Sequence, residues 1–118
     1  MVNGVKSLIK PLSVNDAWQG KRFKTRQYKE YEERLGWLLP AHYPIPEGRL
    51  QLTIRAGFSN KQSDVDNVCK PFLDILQKRY NFNDRQVYKI EMEKEDVTKG
   101  EEYIQFSIQR YEPKSVLI

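Results

Sequence analysis

L-Q-L-T-I-R-A-G-F-S-N-K-Q-S-D-V-D-N-V-C-K-P-F-L-D-I-L, Leu50 to Leu76, changes its hydrophobic period part-way along. Leu50, Leu52, Ile54, Ala56 and Phe58 alternate with Gln51, Thr53, Arg55 and Gly57, the period of a half-buried strand. After a polar loop, Val65, Val68, Cys69, Phe72, Leu73 and Leu76 recur at helical spacing, through to about Arg79. Pro71 fits only the first turn of a helix and disfavours helical angles at Lys70, so the helix is expected to start near Asn67 or Val68. A strand followed by a helix is the minimum unit of a two-layer fold.

Working outward, the same two periods account for the rest of the chain. Val5 to Ile9 is a short candidate strand ended by Lys10-Pro11, and Pro11 to Gly20 reads as loop, with Ser13, Asn15 and Asp16 able to bond nearby backbone. From about Thr25, Tyr28, Tyr31, Leu35, Leu38 and Leu39 recur at helical spacing until Pro40 stops them, opposite a solvated face of Lys29, Glu32 and Glu33. The proline-rich stretch Pro40 to Gly48 is a loop. Beyond the second helix, Y-N-F-N-D-R (Tyr80 to Arg85) is turn-rich. Tyr88, Ile90 and Met92 then alternate with Lys89, Glu91 and Glu93. Thr98 to Glu101 turns the chain into a last strand carrying Ile104, Phe106 and Ile108. The order is βαβαββ. It predicts an α+β domain over residues 1–118, a two-layer structure with a four-stranded mixed sheet and two main helices on one face. The last two strands are expected to form a hairpin.

Composition narrows the class. The 118 residues are 39% hydrophobic and include seven tyrosines, five phenylalanines and two tryptophans, too many aromatics for a disordered chain. A net charge of +4 fits an anionic partner such as nucleic acid without requiring one. The single cysteine, Cys69, rules out an intrachain disulfide framework, points to a reducing compartment and reads as a small buried hydrophobe. No apolar run approaches the roughly 20 residues of a membrane span, and the opening M-V-N-G-V-K-S-L-I-K lacks a signal peptide's apolar core. A soluble, cytoplasmic protein is expected.

The chemistry concentrates where the second helix begins. Asp64 and Asp66 stand one residue apart, and Lys70 follows Asp66 by one helical turn. Helix capping is the simplest explanation: Asp66 or Asn67 as the cap, both acids favouring the positive helix end. Capping needs only one of them, however. Asp84, in the loop before the next strand, is expected to return to the same edge of the sheet. Three carboxylates and a lysine there suit a magnesium site acting on phosphate, because hard cations take oxygen ligands. Other metal readings fail on the residues. As an EF-hand loop, D-V-D-N would need glycine where Cys69 stands and glutamate where Ile75 stands. Zinc finds one histidine, His42 among prolines, and one cysteine without paired spacing. Phosphate-cradling glycine loops are absent too.

Taken together, D-V-D-N-V-C-K-P-F-L-D-I-L (Asp64 to Leu76), N-D-R-Q-V (Asn83 to Val87) and the earlier P-L-S-V-N-D-A-W (Pro11 to Trp18) resemble the RusA family of Holliday junction resolvases, in order, over about residues 5 to 110. The resemblance implies a magnesium-dependent endonuclease, active as a homodimer. It would cut branched DNA such as four-way junctions at two symmetrically placed sites, with no small-molecule cofactor and no membrane partner. A bacterial cytoplasmic protein of phage or prophage origin is the implied setting. Asp64, Asp66 and Asp84 would be the acidic metal-site residues, and Lys70 the lysine supporting the scissile phosphate. Two departures stand out: Ser63 where the family often has arginine, and Asn83-Asp84 where it often has an acidic pair.

Basic residues supply a candidate DNA surface. K-R-F-K-T-R-Q-Y-K holds Lys21, Arg22, Lys24, Arg26 and Lys29, interleaved with Phe23 and Tyr28. Lys61 and Arg85, near the acids in sequence, are expected to join them at backbone phosphates, which position DNA without reading its sequence. Three alternatives remain at this level: a DNA-binding protein of the same fold without cleavage, a nuclease for flaps, forks or RNA, and an interaction protein whose aspartates only cap and pair.

Overall fold

The computed structural model describes residues 4–19 and 23–113. Its main sheet has four strands: β1 (Val5–Ser7), β4 (Leu50–Phe58), β5 (Val87–Asp96) and β6 (Tyr103–Arg110). The helices α2 (Arg26–Leu38) and α3 (Cys69–Tyr80) pack on it, as the α+β pattern predicts. Leu50, Leu52 and Ile54 of β4, with Ile104, Phe106 and Ile108 of β6, meet Tyr28, Tyr31 and Leu35 of α2 and Phe72, Leu73 and Leu76 of α3. Burying apolar side chains of that size, about 1.5–3 kcal/mol each, fixes both helices on one face. The other face carries Thr53, Arg55 and Gln105. Over it lies a hollow of about 440 Å³, where Arg55 is already paired with Glu93 and Glu95, both at 3.1 Å.

The strand order is β1-β6-β4-β5, which overturns the expected hairpin. β5 and β6 are consecutive in the chain, yet β4 lies between them, parallel to β5 and antiparallel to β6. The reason lies in burial. Ala56, Gly57 and Phe58 are buried on consecutive positions, so the end of β4 is covered on both faces and belongs in the middle. β5 is half exposed and takes an edge. A register shift between Leu50 and Gln51 passes from Val87 to Lys89, leaving Tyr88 unmatched as a bulge. Tyr88 therefore turns outward, where Arg49 lies 4.7 Å over its ring. Of the predicted apolar face of this strand, Tyr88 and Ile90 stay exposed while Met92 packs against the core.

Short elements escape the periodic reading. The segment expected to be loop contains a one-turn helix, α1 (Val14–Ala17), whose Ser13 side chain accepts the amide of Asn15 at 3.2 Å. Two-residue strands β2 (Trp18–Gln19) and β3 (Phe23–Lys24) then pair antiparallel. Helix α2 begins as expected, with Thr25 capping the amide of Tyr28. At its other end Leu39 is buried, whereas Leu38 and its neighbour Trp37 face outward.

Candidate active site

The loop leaving β4 is tied down before it reaches the aspartates. Lys94, opposite Ala56 on β5, donates to the carbonyls of Lys61 (3.1 Å) and Ser63 (2.6 Å). Ser59 donates to Glu102 at 2.7 Å, and Asn60 accepts the amide of Gln62 at 2.8 Å. The chain then enters a 3-10 turn, Val65–Val68, and runs into α3. Neither start is capped by a side chain: Asp64 precedes the turn and Val68 precedes α3, both without a side-chain bond to the helix. Asp64 only accepts a long 3.5 Å contact from the Asn67 side chain. The capping explanation therefore has no bond behind it, and both Asp64 and Asp66 are exposed.

Lys70 is placed on the second residue of α3, where it forms an ion pair with Asp74 at 2.9 Å. Asp74 was not singled out from the sequence, although it stands at i+4 from Lys70 within the quoted stretch. The Lys70 ammonium is held above its usual range, first by the hydrogen bond to Asp74, which outweighs the opposing effect of burial, and further by the charges of Asp74 and Asp84. Its neighbour Cys69 is partly buried, and burial pushes its thiol up, so it packs rather than reacts.

Asp84 is the residue the topology moves. It opens a second 3-10 turn, Asp84–Gln86, whose backbone is fixed by a reciprocal cap between Asn83 and Gln86. Because β4 and β5 are parallel, the loop leaving β4 and the loop leading into β5 lie at opposite strand ends. Asp84 precedes the end of β5 that pairs with Leu50, whereas the loop to Asp64 leaves β4 at Phe58. Asp84 acts on Lys70, whose ammonium feels its charge. Among the described residues, no three histidine, cysteine, aspartate or glutamate side chains stand close enough to share one ion.

A cleft of about 550 Å³ opens beside Asp64. Leu12, Asn15 and Asp16 line one side; Asn60, Gln62 and Asp64 line the other. Residues from Pro11 to Asp16 of the N-terminal stretch thus become a wall of the acidic site. Its position is locked by Thr25, whose hydroxyl donates to the Asp16 carbonyl.

The predicted basic surface divides. Lys21 and Arg22 lie outside the described residues. Lys24 points inward, 3.5 Å from Glu32 and 4.9 Å over the Tyr28 ring. Glu32 also receives Lys78 of α3 at 2.9 Å. Burial works to raise the Glu32 carboxyl, but the hydrogen bonds and charges of Lys78 and Lys24 hold it below its usual range. Arg26 is paired with Glu30 at 3.1 Å, and Lys29, Lys61 and Arg85 are exposed. Asp66 in the 3-10 turn and Lys70, Asp74 and Lys78 of α3 form a series at four-residue spacing that alternates in sign.

A family model described as endodeoxyribonuclease RusA matches residues 12–107. The chain belongs to the RusA family. No curated protein matches it. The RusA match starts in the N-terminal wall of the cleft and ends in β6, so it takes in Asp64, Asp66, Lys70 and Asp84 together. Members are Holliday junction endodeoxyribonucleases, hydrolases that act on DNA, and that is the activity of this chain. Among the described residues no helix is long and apolar enough to cross a membrane.

Proposed function

We propose that this RusA chain resolves four-way DNA junctions by magnesium-dependent phosphodiester hydrolysis, with Asp64 and Asp66 holding the ion and Lys70 at the scissile phosphate. One observation carries the assignment. Two exposed aspartates, one residue apart and uncommitted to capping, precede a lysine whose charge is secured by a partner. Their donor chemistry fits magnesium, which is usually held by one or two carboxylates together with water and substrate phosphate. A magnesium ion held by Asp64 and Asp66 would supply water activation and stabilisation of negative charge on the phosphate being attacked.

The remaining steps fall to the protein. Lys70 donates from Nζ to a non-bridging phosphate oxygen, where an ammonium is worth most as charge develops. Asp74 restrains that ammonium on the α3 surface, and Asp84 adds negative potential that keeps it protonated. Within one chain, Asp84 serves Lys70 more directly than it serves the ion. A junction presents two equivalent strands, so a two-fold symmetric homodimer is the assembly that cuts both. The setting is the bacterial cytoplasm.

The test is cleavage of a labelled four-way junction and of matching linear duplex, in magnesium or in EDTA, beside Asp66→Asn. Symmetric, magnesium-dependent nicking of the junction is expected, with the variant still binding but inactive. Cleavage of flaps or RNA in preference to the junction would replace the substrate. A folded protein that cleaves none of these, across metals and pH, would overturn the nuclease assignment.

A further inference from the structure

The Lys24–Glu32–Lys78 cluster joins β3 and α2 to the far half of α3, and neither the metal site nor the Lys70 pair uses it. Two ammonium groups share one carboxylate there: Lys78 at 2.9 Å and Lys24 at 3.5 Å. The cluster keeps one positive charge in excess. Lys78 is the more accessible lysine, its side chain 58% exposed against 28% for Lys24. A carboxylate held between two ammoniums, one on each oxygen, occupies the kind of position that a phosphate group takes.

Its distance from the reaction centre suits a nucleic-acid strand. Lys78 lies two turns beyond Lys70 on α3, which at about 1.5 Å per residue is about 12 Å along the axis. Phosphates of one DNA strand advance about 3.4 Å along the duplex axis, so 12 Å spans about three of them. A strand laid along α3 with its scissile phosphate at Lys70 passes the cluster a few nucleotides away. The intervening residue, Asp74, is neutralised by its bond to Lys70.

Resting on the nuclease reading above, we propose that Lys78, with Lys24, is a second contact point for the DNA backbone, a phosphate-binding site that Glu32 fills when DNA is absent. Glu32 competes with the phosphate, and its displacement frees both lysines. This gives the two ends of one ion-pair network opposite effects on binding, which a purely structural network does not have.

The experiment is equilibrium binding of a fluorescent four-way junction in EDTA across a salt series, for the wild type, Lys78→Ala, Glu32→Gln and Lys89→Ala. Lys89 pairs with Glu91 at 3.0 Å on the edge strand and serves as a surface-pair control. Lys78→Ala is expected to weaken binding and reduce the slope of log affinity against log salt by about 0.9, the loss of one phosphate contact. Glu32→Gln is expected to tighten binding and steepen the slope, and Lys89→Ala to change neither. Melting curves confirm that each variant is folded. If Lys78→Ala keeps the wild-type slope, or Glu32→Gln weakens binding as Lys78→Ala does, the proposal is wrong while the nuclease reading stands. A wild type that does not bind the junction at all overturns both.

Discussion

Asp74 shows how much of a site a sequence can state without being understood. It sits at i+4 from Lys70, a spacing that was visible, but the same spacing occurs on any solvated helix face and is ordinarily worth only about 0.3–0.5 kcal/mol. The structure adds that its side chain is only 23% exposed and bonded to the lysine proposed to meet the phosphate. If Asp74 restrains Lys70, Asp74→Asn should slow junction cleavage roughly ten- to a hundredfold in single-turnover assays, since misplacing a catalytic group by about 1 Å carries such a cost. Junction affinity should be kept, and Asp74→Glu should recover part of the rate. A variant as fast as the wild type would reduce the pair to surface decoration. Asp64 and Asp66 were equally legible as residues, while their freedom from capping was not, because a capping residue and an uncommitted one look alike in sequence.

At the scale of elements, period decided nearly everything that it had room to decide. Strand β4 and helix α3 lie where alternation and helical spacing predict them, and Pro71 falls in the first turn of α3 as its missing amide requires. Helix α1 and strands β2 and β3 were missed because two to four residues cannot display a period. Tyr88 was misassigned because a bulge shifts the register beside it. Phe72 tests the packing argument: it is fully buried and meets Phe106 of β6 edge-on, with ring centroids 5.8 Å apart. Phe72→Ala should lower unfolding free energy by about 3–5 kcal/mol, measured by urea denaturation, because the cavity adds to the lost burial. A loss below about 1 kcal/mol would mean that α3 is not seated on the sheet as described. Thr25→Ala, which removes the cap of α2, should cost about 1 kcal/mol in the same assay.

The whole molecule carries what neither residues nor periods reveal. Parallel pairing of β4 with β5 sets the loop after β4 and the loop before β5 at opposite strand ends, and nothing in the alternation of either strand says which neighbour it takes. Only the burial of Ala56, Gly57 and Phe58 at consecutive positions, which the structure supplies and strand alternation does not, marks β4 as central. The same packing sets a stability limit spread across the fold. Burial pushes the Tyr28 hydroxyl up to about 12, and Tyr31, Tyr80 and Tyr103 are displaced in the same direction, chiefly by burial. These groups sit in α2, at the end of α3 and in β6, so no single layer escapes. Each holds its proton more tightly folded than unfolded, and the folded state binds more protons as the unfolded tyrosines ionise near pH 10. The stabilisation is therefore complete below about pH 10 and is lost as pH rises towards the folded values. Denaturant midpoints should fall steadily from pH 10 upward, with Tyr28→Phe flattening the decline because one ionising group is gone. A midpoint that stays level from pH 9 to 12 would show that these hydroxyls are not held in the interior the fold assigns them.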